Sequence, residues 1–300
     1  MRGASWKLMR LVTAVAIAVI SAGAFAADSE GAAVNLLFIH HSCGGALLAA
    51  PGPLAGGGRD AGERCLYDSH PNGGGLRDLL AAAGYRVHQA SYGSLIGEDT
   101  DLCHWRRKFA TQMDRVLRTQ RQDALLPDSQ TNRIVCFKSC YPNNGFTSAG
   151  REPGDPDDCE RTVANAKAAY QSLLPLLRAQ PEVLFVAITA PPLAPYKPMG
   201  LKETIQSWFR RADQSGKLAR EFNTWLADRE RGWLAGYDQP NVVVFDFYDL
   251  LTKAGTSDYL VYLTKHERDS HPNREGNAEA AAAFVPFLAR AVAEMGWPQP

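Results

Sequence analysis

Short apolar runs recur along the chain, and polar or turn-forming residues bound each run. Most of the runs are continuous rather than alternating, which is typical of strands buried on both faces of a parallel sheet. Segments with apolar residues at helical spacing separate them. The predicted strands are Val34–Ile39, Tyr85–Ala90, Arg133–Lys138, Val183–Thr189 and Val242–Phe247. The predicted helices are Leu76–Ala83, Leu102–Arg121, Arg161–Ala179, Lys217–Leu234 and Glu275–Met295.

This alternation of strands and helices predicts a single α/β domain. Right-handed βαβ connections place helices on both faces of a doubly wound sheet, for which we expect five parallel strands. Three long connections follow predicted strands at their carboxyl ends, where ligand sites gather in open α/β sheets. These connections are Gly44–Gly75, Tyr141–Cys159 and Pro191–Gly200. They predict a cleft at this edge, and tolerated surface insertions are the alternative interpretation.

The start of the chain has the pattern of an export signal. Basic residues precede the apolar run Leu11–Ile20, and small residues then end at Ala26. A signal peptidase recognises this order, and the run is too short for a permanent membrane span. We therefore expect a signal peptide over residues 1–26, one mature domain over residues 27–300, and a periplasmic or secreted location. A retained N-terminal anchor is the alternative.

Composition narrows the classes of partner and cofactor. The 300 residues are 45% hydrophobic and 21% charged, which excludes a disordered chain and allows one large core. The 32 Lys and Arg residues balance the 32 Asp and Glu residues, so no basic field attracts nucleic acid. The sequence lacks glycine-rich phosphate-binding motifs and paired C-x-x-C or H-x-x-x-H spacings. We predict no cofactor, no metal and no nucleic-acid partner.

Six cysteines lie in the predicted mature chain, where an oxidising compartment permits disulfides. Sequence alone leaves many pairings open. Polar, loop-like contexts favour the pairs Cys65–Cys103 and Cys140–Cys159. Cys136 lies in the middle of an apolar run and is predicted to be a buried free thiol.

Residues with nucleophilic and basic side chains stand at the two ends of the mature chain. Ser42 directly follows the first predicted strand, which places its hydroxyl at the sheet edge and its backbone N–H toward a developing oxyanion. Asp269 and His271 precede the last helix. His271 can accept the Ser42 proton while Asp269 orients the imidazole, which predicts a Ser-His-Asp triad. Alternatively, Asp269 and Asn273 cap the last helix, and both roles can coexist.

Together with several other segments of the chain, these residues resemble the motifs of the SGNH (GDSL-type) hydrolase superfamily. The similarity is to a poorly characterised subgroup of exported bacterial SGNH-like proteins, and it extends over nearly the whole mature chain. It implies a flavodoxin-like three-layer α/β/α sandwich and an ester hydrolase without a cofactor. The segments that carry it are Phe38–Ser42, Ile96–Gly97, Thr100–Asp101, His104–Trp105, Lys138–Asn143, Thr189–Pro192 and Asp269–Asn273.

The resemblance also implies three donors to the oxyanion. Ser42 is the nucleophile and the first donor, through its own N–H. Gly93 looks like the second donor, and Asn143 is similar to the asparagine that supplies the third. Ser139 or Asn144 are alternatives for the third donor, because the usual G-x-N-D motif is missing.

Departures from the family pattern leave other interpretations open. His41 replaces the usual Asp before the nucleophile, and the acid stands two residues before His271 rather than three. Cys43 is a rival nucleophile, although neighbouring side chains of an extended segment point to opposite sides. His70, in a second Asp-Ser-His-Pro-Asn copy at Asp68–Asn72, is a rival base. We favour His271 because the superfamily places its base before the last helix.

A further group of residues is predicted to bind the substrate: His41, Asp101, His104, Trp105 and Lys138. A tryptophan can stack on a sugar ring, although a core position is the alternative for Trp105, and Lys138 is either structural or an anion contact. The predicted function is a serine esterase acting on a small-molecule or glycan ester, including glycan deacetylation. A sugar O-acyltransferase and a non-catalytic carbohydrate-binding or assembly protein are the alternatives, and the oligomeric state stays open.

Overall fold

The computed structural model describes residues 33–57, 64–196 and 212–300. One compact unit contains these described residues. The predicted signal peptide over residues 1–26 lies outside them, so the cleavage site and the start of the mature domain stay predictions. A search of the described residues finds no helix that is long and apolar enough to cross a membrane.

Strands and helices alternate along the described chain. The strands are β1 (Val34–Ile39), β2 (Ala50–Pro51), β3 (Ala55–Gly56), β4 (Tyr67–His70), β5 (Tyr85–Ala90), β6 (Thr119–Arg121), β7 (Ala124–Leu125), β8 (Ile134–Lys138), β9 (Leu184–Ile188) and β10 (Val242–Phe245). The helices are α1 (Ser42–Leu48), α2 (Leu76–Ala82), α3 (His104–Arg118), α4 (Val163–Arg178), α5 (Ala212–Ala227), α6 (Phe247–Leu251) and α7 (Arg274–Glu294), with a 3-10 helix at Tyr141–Asn144.

The central sheet has seven strands in the order β10-β9-β8-β1-β5-β6-β7. The five predicted strands all pair in parallel, and Phe38 of β1 lies between Gln89 of β5 and Cys136 of β8. Counted along the chain, these five follow the order 2-1-3-4-5 of flavodoxin-like sheets, so the predicted fold class is confirmed. Two short edge strands extend the sheet, and β2, β4 and β3 form a small second sheet.

Apolar side chains cover both faces of the central sheet. Within β1, Leu37 and Ile39 face one cluster, whereas Leu36 and Phe38 face the other, as the period of two along a strand requires. The first cluster packs β1 against residues of α3, α4 and α5. The second packs it against α1, α2 and α7. The result is the three-layer α/β/α sandwich that the resemblance implies.

Polar capping residues and close backbone contacts determine where several helices begin and end. Thr162, Asp246 and Asn273 each accept a backbone N–H at the start of α4, α6 and α7. The predicted helix Lys217–Leu234 ends early, at Ala227, because the chain folds back. A Cβ on Gly232 would lie 1.8 Å from the Trp225 carbonyl oxygen, so only glycine fits this return.

The disulfide joins Cys103 and Cys159. Both predicted pairs, Cys65–Cys103 and Cys140–Cys159, are therefore wrong. The fold brings the start of α3 beside the loop before α4, whereas Cys65 and Cys140 are buried as free thiols. Cys136 is a buried free thiol, as predicted.

Candidate active site

The first β–α connection carries Ser42 to the edge of the sheet. β1 ends at Ile39, His41 keeps an extended backbone, and α1 begins at Ser42 itself. Close packing fixes this turn, since a Cβ on Gly44 would lie 2.4 Å from the His40 Cβ and one on Gly45 would lie 2.1 Å from a carbonyl oxygen. The glycines after Ser42 therefore allow the helix to sit directly on the strand end.

Ser42, His271 and Asp269 form a continuous hydrogen-bonded row. The Ser42 Oγ lies 2.7 Å from His271 Nε2, and His271 Nδ1 lies 2.5 Å from Asp269 Oδ1. The same Asp269 oxygen accepts the backbone N–H of His271 at 3.0 Å. Because a carboxylate only accepts, the Nδ1 carries a proton and leaves Nε2 free to accept the serine hydroxyl. This arrangement has the geometry of a nucleophile, a base and an orienting acid.

The surroundings of His271 hold its ring in place. Partial burial acts to raise the pKa of Asp269, but hydrogen bonds from the backbone and ring of His271 outweigh it and keep this pKa below the usual range. Tyr141 packs edge-on against the His271 ring, with ring centroids 5.1 Å apart. Asn273 caps α7 by accepting the Gly276 N–H at 3.0 Å. Capping thus belongs to Asn273, and Asp269 is free to orient the histidine.

Two thiols lie behind the serine. Cys140 Sγ is 3.6 Å from the Ser42 Oγ and 3.5 Å from Cys43 Sγ. Burial raises the pKa of the Cys43 thiol, and Cys43 is fully buried within α1. It is Ser42, and not Cys43, that contacts His271. The geometry therefore favours serine over cysteine as the nucleophile.

Two of the three groups predicted to bind an oxyanion, the Gly93 N–H and the Asn143 amide, already have partners. Gly93 lies in the turn after β5 with φ of 84°, and its N–H donates to the Glu98 carboxylate at 2.6 Å. The Asn143 amide donates to the Asp101 carboxylate at 2.8 Å, and its oxygen accepts the Leu102 N–H at 2.9 Å. Each of these two donors is thus occupied by a carboxylate oxygen of the protein itself.

The alternative third donors are part of the scaffold. The Ser139 hydroxyl accepts the Trp105 indole N–H at 2.8 Å. The Asn144 amide donates to the carbonyls of Ala190 and Pro191, at 2.8 and 2.9 Å. These bonds join the end of β8 to α3 and to the loop after β9, and Asn143 is left as the candidate that lines a surface cavity.

His41 connects the nucleophile turn to the loop after β5. Its Nε2 lies 2.8 Å from the Gly97 carbonyl oxygen, so Nε2 carries the proton, and the Thr100 hydroxyl lies 3.1 Å from Nδ1. Its ring stacks on that of Tyr92 at 3.4 Å between centroids. Burial lowers the pKa of His41 and so favours the neutral ring. The prediction that His41 contacts the substrate is corrected, because its ring is buried against other groups of the protein.

Two more basic side chains are buried near the same turn. His40 donates from Nδ1 to the His41 carbonyl at 2.9 Å, and its Nε2 accepts the Gln89 amide at 3.2 Å. Burial lowers the pKa of His40 to about 4. Lys138 is fully buried and donates to the Ser139 carbonyl at 3.0 Å. The adjacent histidines thus have separate partners, and Lys138 has the structural role rather than the predicted substrate contact.

Trp105 is a core residue. Its side chain has no exposed area, and its ring packs against Phe109 and Phe137 in the layer formed by α3. This burial corrects the expectation that the indole stacks on a sugar, and it fits the alternative interpretation of its helical spacing.

Asp101 and His104 stay at the surface, where two cavities flank the Cys103–Cys159 disulfide. One cavity, of about 320 Å³, is lined by Asp101, Asn143, Arg161 and Asn165 among others. The second, of about 1060 Å³, includes Gly93, Glu98 and His104. Cys103, His104 and Cys159 lie within metal-ligand distance of one another, but the disulfide leaves neither sulfur as a thiolate ligand.

The rival base, His70, lies in β4. Its Nδ1 accepts the Asn72 backbone N–H at 3.0 Å, and its ring contacts that of Tyr67. Tyr141 and Cys140, which contact His271 and Ser42, received no role from the sequence. Their position between the end of a buried strand and Asn143 is the signal that marks them.

No protein-family model matches the chain, and no curated protein matches it. Solved structures do: an extracellular lipase from Streptomyces rimosus is 17% identical, with a TM-score of 0.42, over 86% of this chain and 100% of that chain. Two mutants of an acetylxylan or acetyl-xylooligosaccharide esterase from Geobacillus stearothermophilus are also 17% identical, with TM-scores of 0.36 and 0.35. They cover 90% and 89% of this chain and 97% and 96% of theirs.

These structural neighbours, a lipase and an esterase, are ester hydrolases. At such low identity and TM-score the similarity carries no argument about activity or substrate. The flavodoxin-like three-layer architecture rests instead on the strand order and on the two helical layers.

Proposed function

We propose that the protein is a serine ester hydrolase in which Ser42 is the nucleophile, His271 the general base and Asp269 the residue that orients it. One observation carries the proposal: His271 Nε2 lies 2.7 Å from the Ser42 Oγ while Asp269 holds the opposite ring nitrogen. A base must be within hydrogen-bond reach of the proton that it removes, and this pair meets that condition before any substrate binds.

The chemistry follows from these positions. Ser42 attacks the ester carbonyl as His271 takes its proton, and the imidazolium then returns that proton to the departing alcohol. Water, activated by the same histidine, releases the acyl group. The Ser42 N–H, the Gly93 N–H and the Asn143 amide are the proposed donors to the tetrahedral oxyanion. Loss of one donor in such a site costs about 10²–10³ in kcat.

The carboxylates of Glu98 and Asp101 are the resting partners of two of these donors. In the proposed reaction the oxyanion replaces a carboxylate oxygen at each donor, so one negatively charged acceptor is exchanged for another. The same contacts support a second candidate, a non-catalytic carbohydrate-binding protein. In that protein the Glu98 and Asp101 carboxylates stay bound to Gly93 and Asn143, and no oxyanion replaces them. Covalent labelling of Ser42 separates the two candidates.

For the substrate, we propose a small acyl ester of a polyhydroxylated alcohol, such as an acetylated glycan. The cavity of about 320 Å³ is lined by Asn143, the proposed oxyanion donor, and not by Ser42 or His271. It has a carboxylate, a guanidinium and amides among its lining groups, from Asp101, Arg161, Asn143 and Asn165. Such groups pair with sugar hydroxyls better than with an alkyl chain. A periplasmic or secreted location fits a glycan substrate.

The test is active-site labelling with a fluorophosphonate, followed by mapping of the modified peptide. We expect the label on Ser42, its loss in Ser42→Ala and its retention in Cys43→Ala, which is the matched control one residue away. Hydrolysis of p-nitrophenyl acetate and of acetylated xylo-oligosaccharides then tests the substrate class. A folded wild-type protein that takes no label contradicts the esterase and favours the binding protein.

A further inference from the structure

The two thiols behind Ser42 are the strongest feature that the ester hydrolase mechanism does not use. Cys43 lies in the first turn of α1, and Cys140 lies two residues after the end of β8, so distant parts of the chain bring them together. Their sulfurs are 3.5 Å apart and both side chains are buried. The disulfide of the described chain uses other cysteines, so this pair is available as a dithiol.

We propose that Cys43 and Cys140 form a peroxide-reactive dithiol, and that the disulfide they form disables Ser42. Two features of the geometry support this. The sulfurs need to approach by only about 1.5 Å to reach the length of a disulfide bond. Cys140 lies 3.6 Å from the Ser42 Oγ, so a small oxidant that reaches the half-buried serine also reaches this sulfur.

The charges around the pair favour Cys140 as the attacking sulfur. The hydrogen bond with Cys43 lowers the pKa of Cys140, and the nearby Lys138 ammonium lowers it further, against the effect of burial. Burial raises the pKa of Cys43. A lowered thiol pKa next to a resolving thiol is a feature of many redox-sensing cysteines, although Cys43 and Cys140 are more buried than such cysteines usually are.

The reaction balances with a hydroperoxide as the oxidant. The Cys140 thiolate attacks one peroxide oxygen, the O–O bond breaks, and hydroxide leaves as water after taking a proton, so that Cys140 becomes a sulfenic acid. The Cys43 sulfur then attacks Cys140 Sγ, the S–O bond breaks, and a second water leaves with the Cys43 proton. Two thiols and hydrogen peroxide thus give one disulfide and two waters.

Closing the bond moves groups on both sides of the triad. Cys43 directly follows Ser42 in α1, and Cys140 directly precedes Tyr141, whose ring packs against His271. A displacement of about 1 Å in a catalytic arrangement can cost about 10²-fold in rate. This second part of the proposal rests on the proposed function, whereas the dithiol itself does not.

Peptide mapping tests the dithiol directly. Protein reduced with dithiothreitol is treated with a few equivalents of hydrogen peroxide, blocked with N-ethylmaleimide and digested without reduction. We expect a linked peptide pair that contains Cys43 and Cys140, and its disappearance after renewed reduction. Cys136, buried on β8, is the internal control and should stay alkylatable after denaturation; Cys136→Ala should respond to peroxide as the wild type does.

Trapping the intermediate identifies the attacking sulfur. In Cys43→Ser, or in Cys43→Ala if that variant folds better, no resolving thiol remains, so dimedone should modify Cys140. Oxidised wild-type protein should show about 10²-fold slower fluorophosphonate labelling, restored by dithiothreitol, whereas labelling of Cys140→Ala should not respond to peroxide.

Each other result has a distinct meaning. Thiols that stay alkylatable after peroxide, or a Cys140 sulfinic acid without the linked peptide, overturn the dithiol. A linked peptide with unchanged labelling overturns the effect on Ser42. A linked peptide in a protein whose reduced form takes no label overturns the proposed ester hydrolase and leaves the dithiol standing.

Discussion

The pentapeptide Asp-Ser-His-Pro-Asn occurs twice in the chain, at Asp68–Asn72 and at Asp269–Asn273, and the two copies fold differently. In the first copy, strand β4 ends at His70. Side chains two residues apart on a strand share a face but stand about 6.6 Å apart, so an Asp and a His at this spacing do not meet directly. The second copy lies in the turn before α7, where Asp269 reaches both the backbone and the ring of His271.

The difference shows that backbone conformation, and not residue identity, places His271 in the position of the proposed base. His70 Nδ1 accepts a backbone N–H, whereas His271 Nδ1 faces a carboxylate and its Nε2 faces Ser42. The copies are nevertheless neighbours, because Asn277 of α7 donates to the carbonyls of Asn72 and Pro272. Burial lowers the pKa of His70, and protonation of the nearby His271 lowers it further.

The largest expected contrast is between the two histidines. We expect His271→Ala to lower kcat/KM for p-nitrophenyl acetate by roughly 10³-fold or more, because the general base is lost. The matched variant His70→Ala should stay within about threefold, since its ring contacts only scaffold groups. A larger loss of kcat/KM in His70→Ala than in His271→Ala would indicate that His70, in the first copy, is the general base.

Substitution of the two aspartates should give almost as large a contrast in kcat. Asp269→Asn leaves Nδ1 of His271 without its carboxylate acceptor, and we expect kcat to fall by roughly 10²–10⁴-fold. Asp68→Asn, at the same position in the first copy, should leave kcat close to that of the wild type. Steady-state kinetics on both variants measures the contrast, and equal losses would show that Asp269 has no special role.

The asparagines should differ in stability instead of activity. Asn273→Ala removes the cap of α7, and we expect the free energy of unfolding to fall by about 1 kcal/mol. Asn72→Ala keeps the backbone N–H and carbonyl that His70 and Asn277 contact, so its effect should stay within about 0.5 kcal/mol. Urea unfolding midpoints compare the two variants, and a larger effect at Asn72 would be unexpected.

The smallest expected effect is a pH dependence at the second copy. Burial opposes the lowered pKa of Asp269, but the bonds to His271 prevail, so the carboxylate stabilises the fold above its unfolded pKa of about 3.9. This contribution is lost as the pH falls through the native pKa. The stability difference between wild type and Asp269→Asn should therefore shrink from about pH 6 to about pH 3 in urea titrations. A constant difference would mean that the carboxylate charge does not stabilise the fold.

The parallel sheet could be predicted because its strands are apolar runs buried on both faces, and such runs are visible in the sequence. The edge strands could not be predicted. Thr119–Arg121 is polar and continues a helical pattern, and β5 pairs with it through a single residue, Gln89. The small sheet of β2, β3 and β4 is equally hidden, because its strands are short and largely exposed or half-buried.

The row of Ser42, His271 and Asp269 could be anticipated from strand and helix ends, since the fold brings the carboxyl edge of the sheet together. Contacts between loops could not be predicted in the same way. The disulfide, the bond from Asn143 to Asp101 and the contact of Gly93 with Glu98 all depend on how loops cross in space. Burial of Trp105 shows the same limit, because helical spacing does not reveal which neighbours cover a face.

The Cys103–Cys159 disulfide also makes a covalent ring. Its cysteines are 56 residues apart in sequence, and the ring contains α3, the edge strands β6 and β7, and β8. An unfolded chain that keeps this bond cannot separate the ends of that segment, which by chain entropy favours the native state by about 4 kcal/mol. Chain synthesised in a reducing cytosol lacks this constraint, so production of the protein for study calls for an oxidising compartment or oxidative refolding.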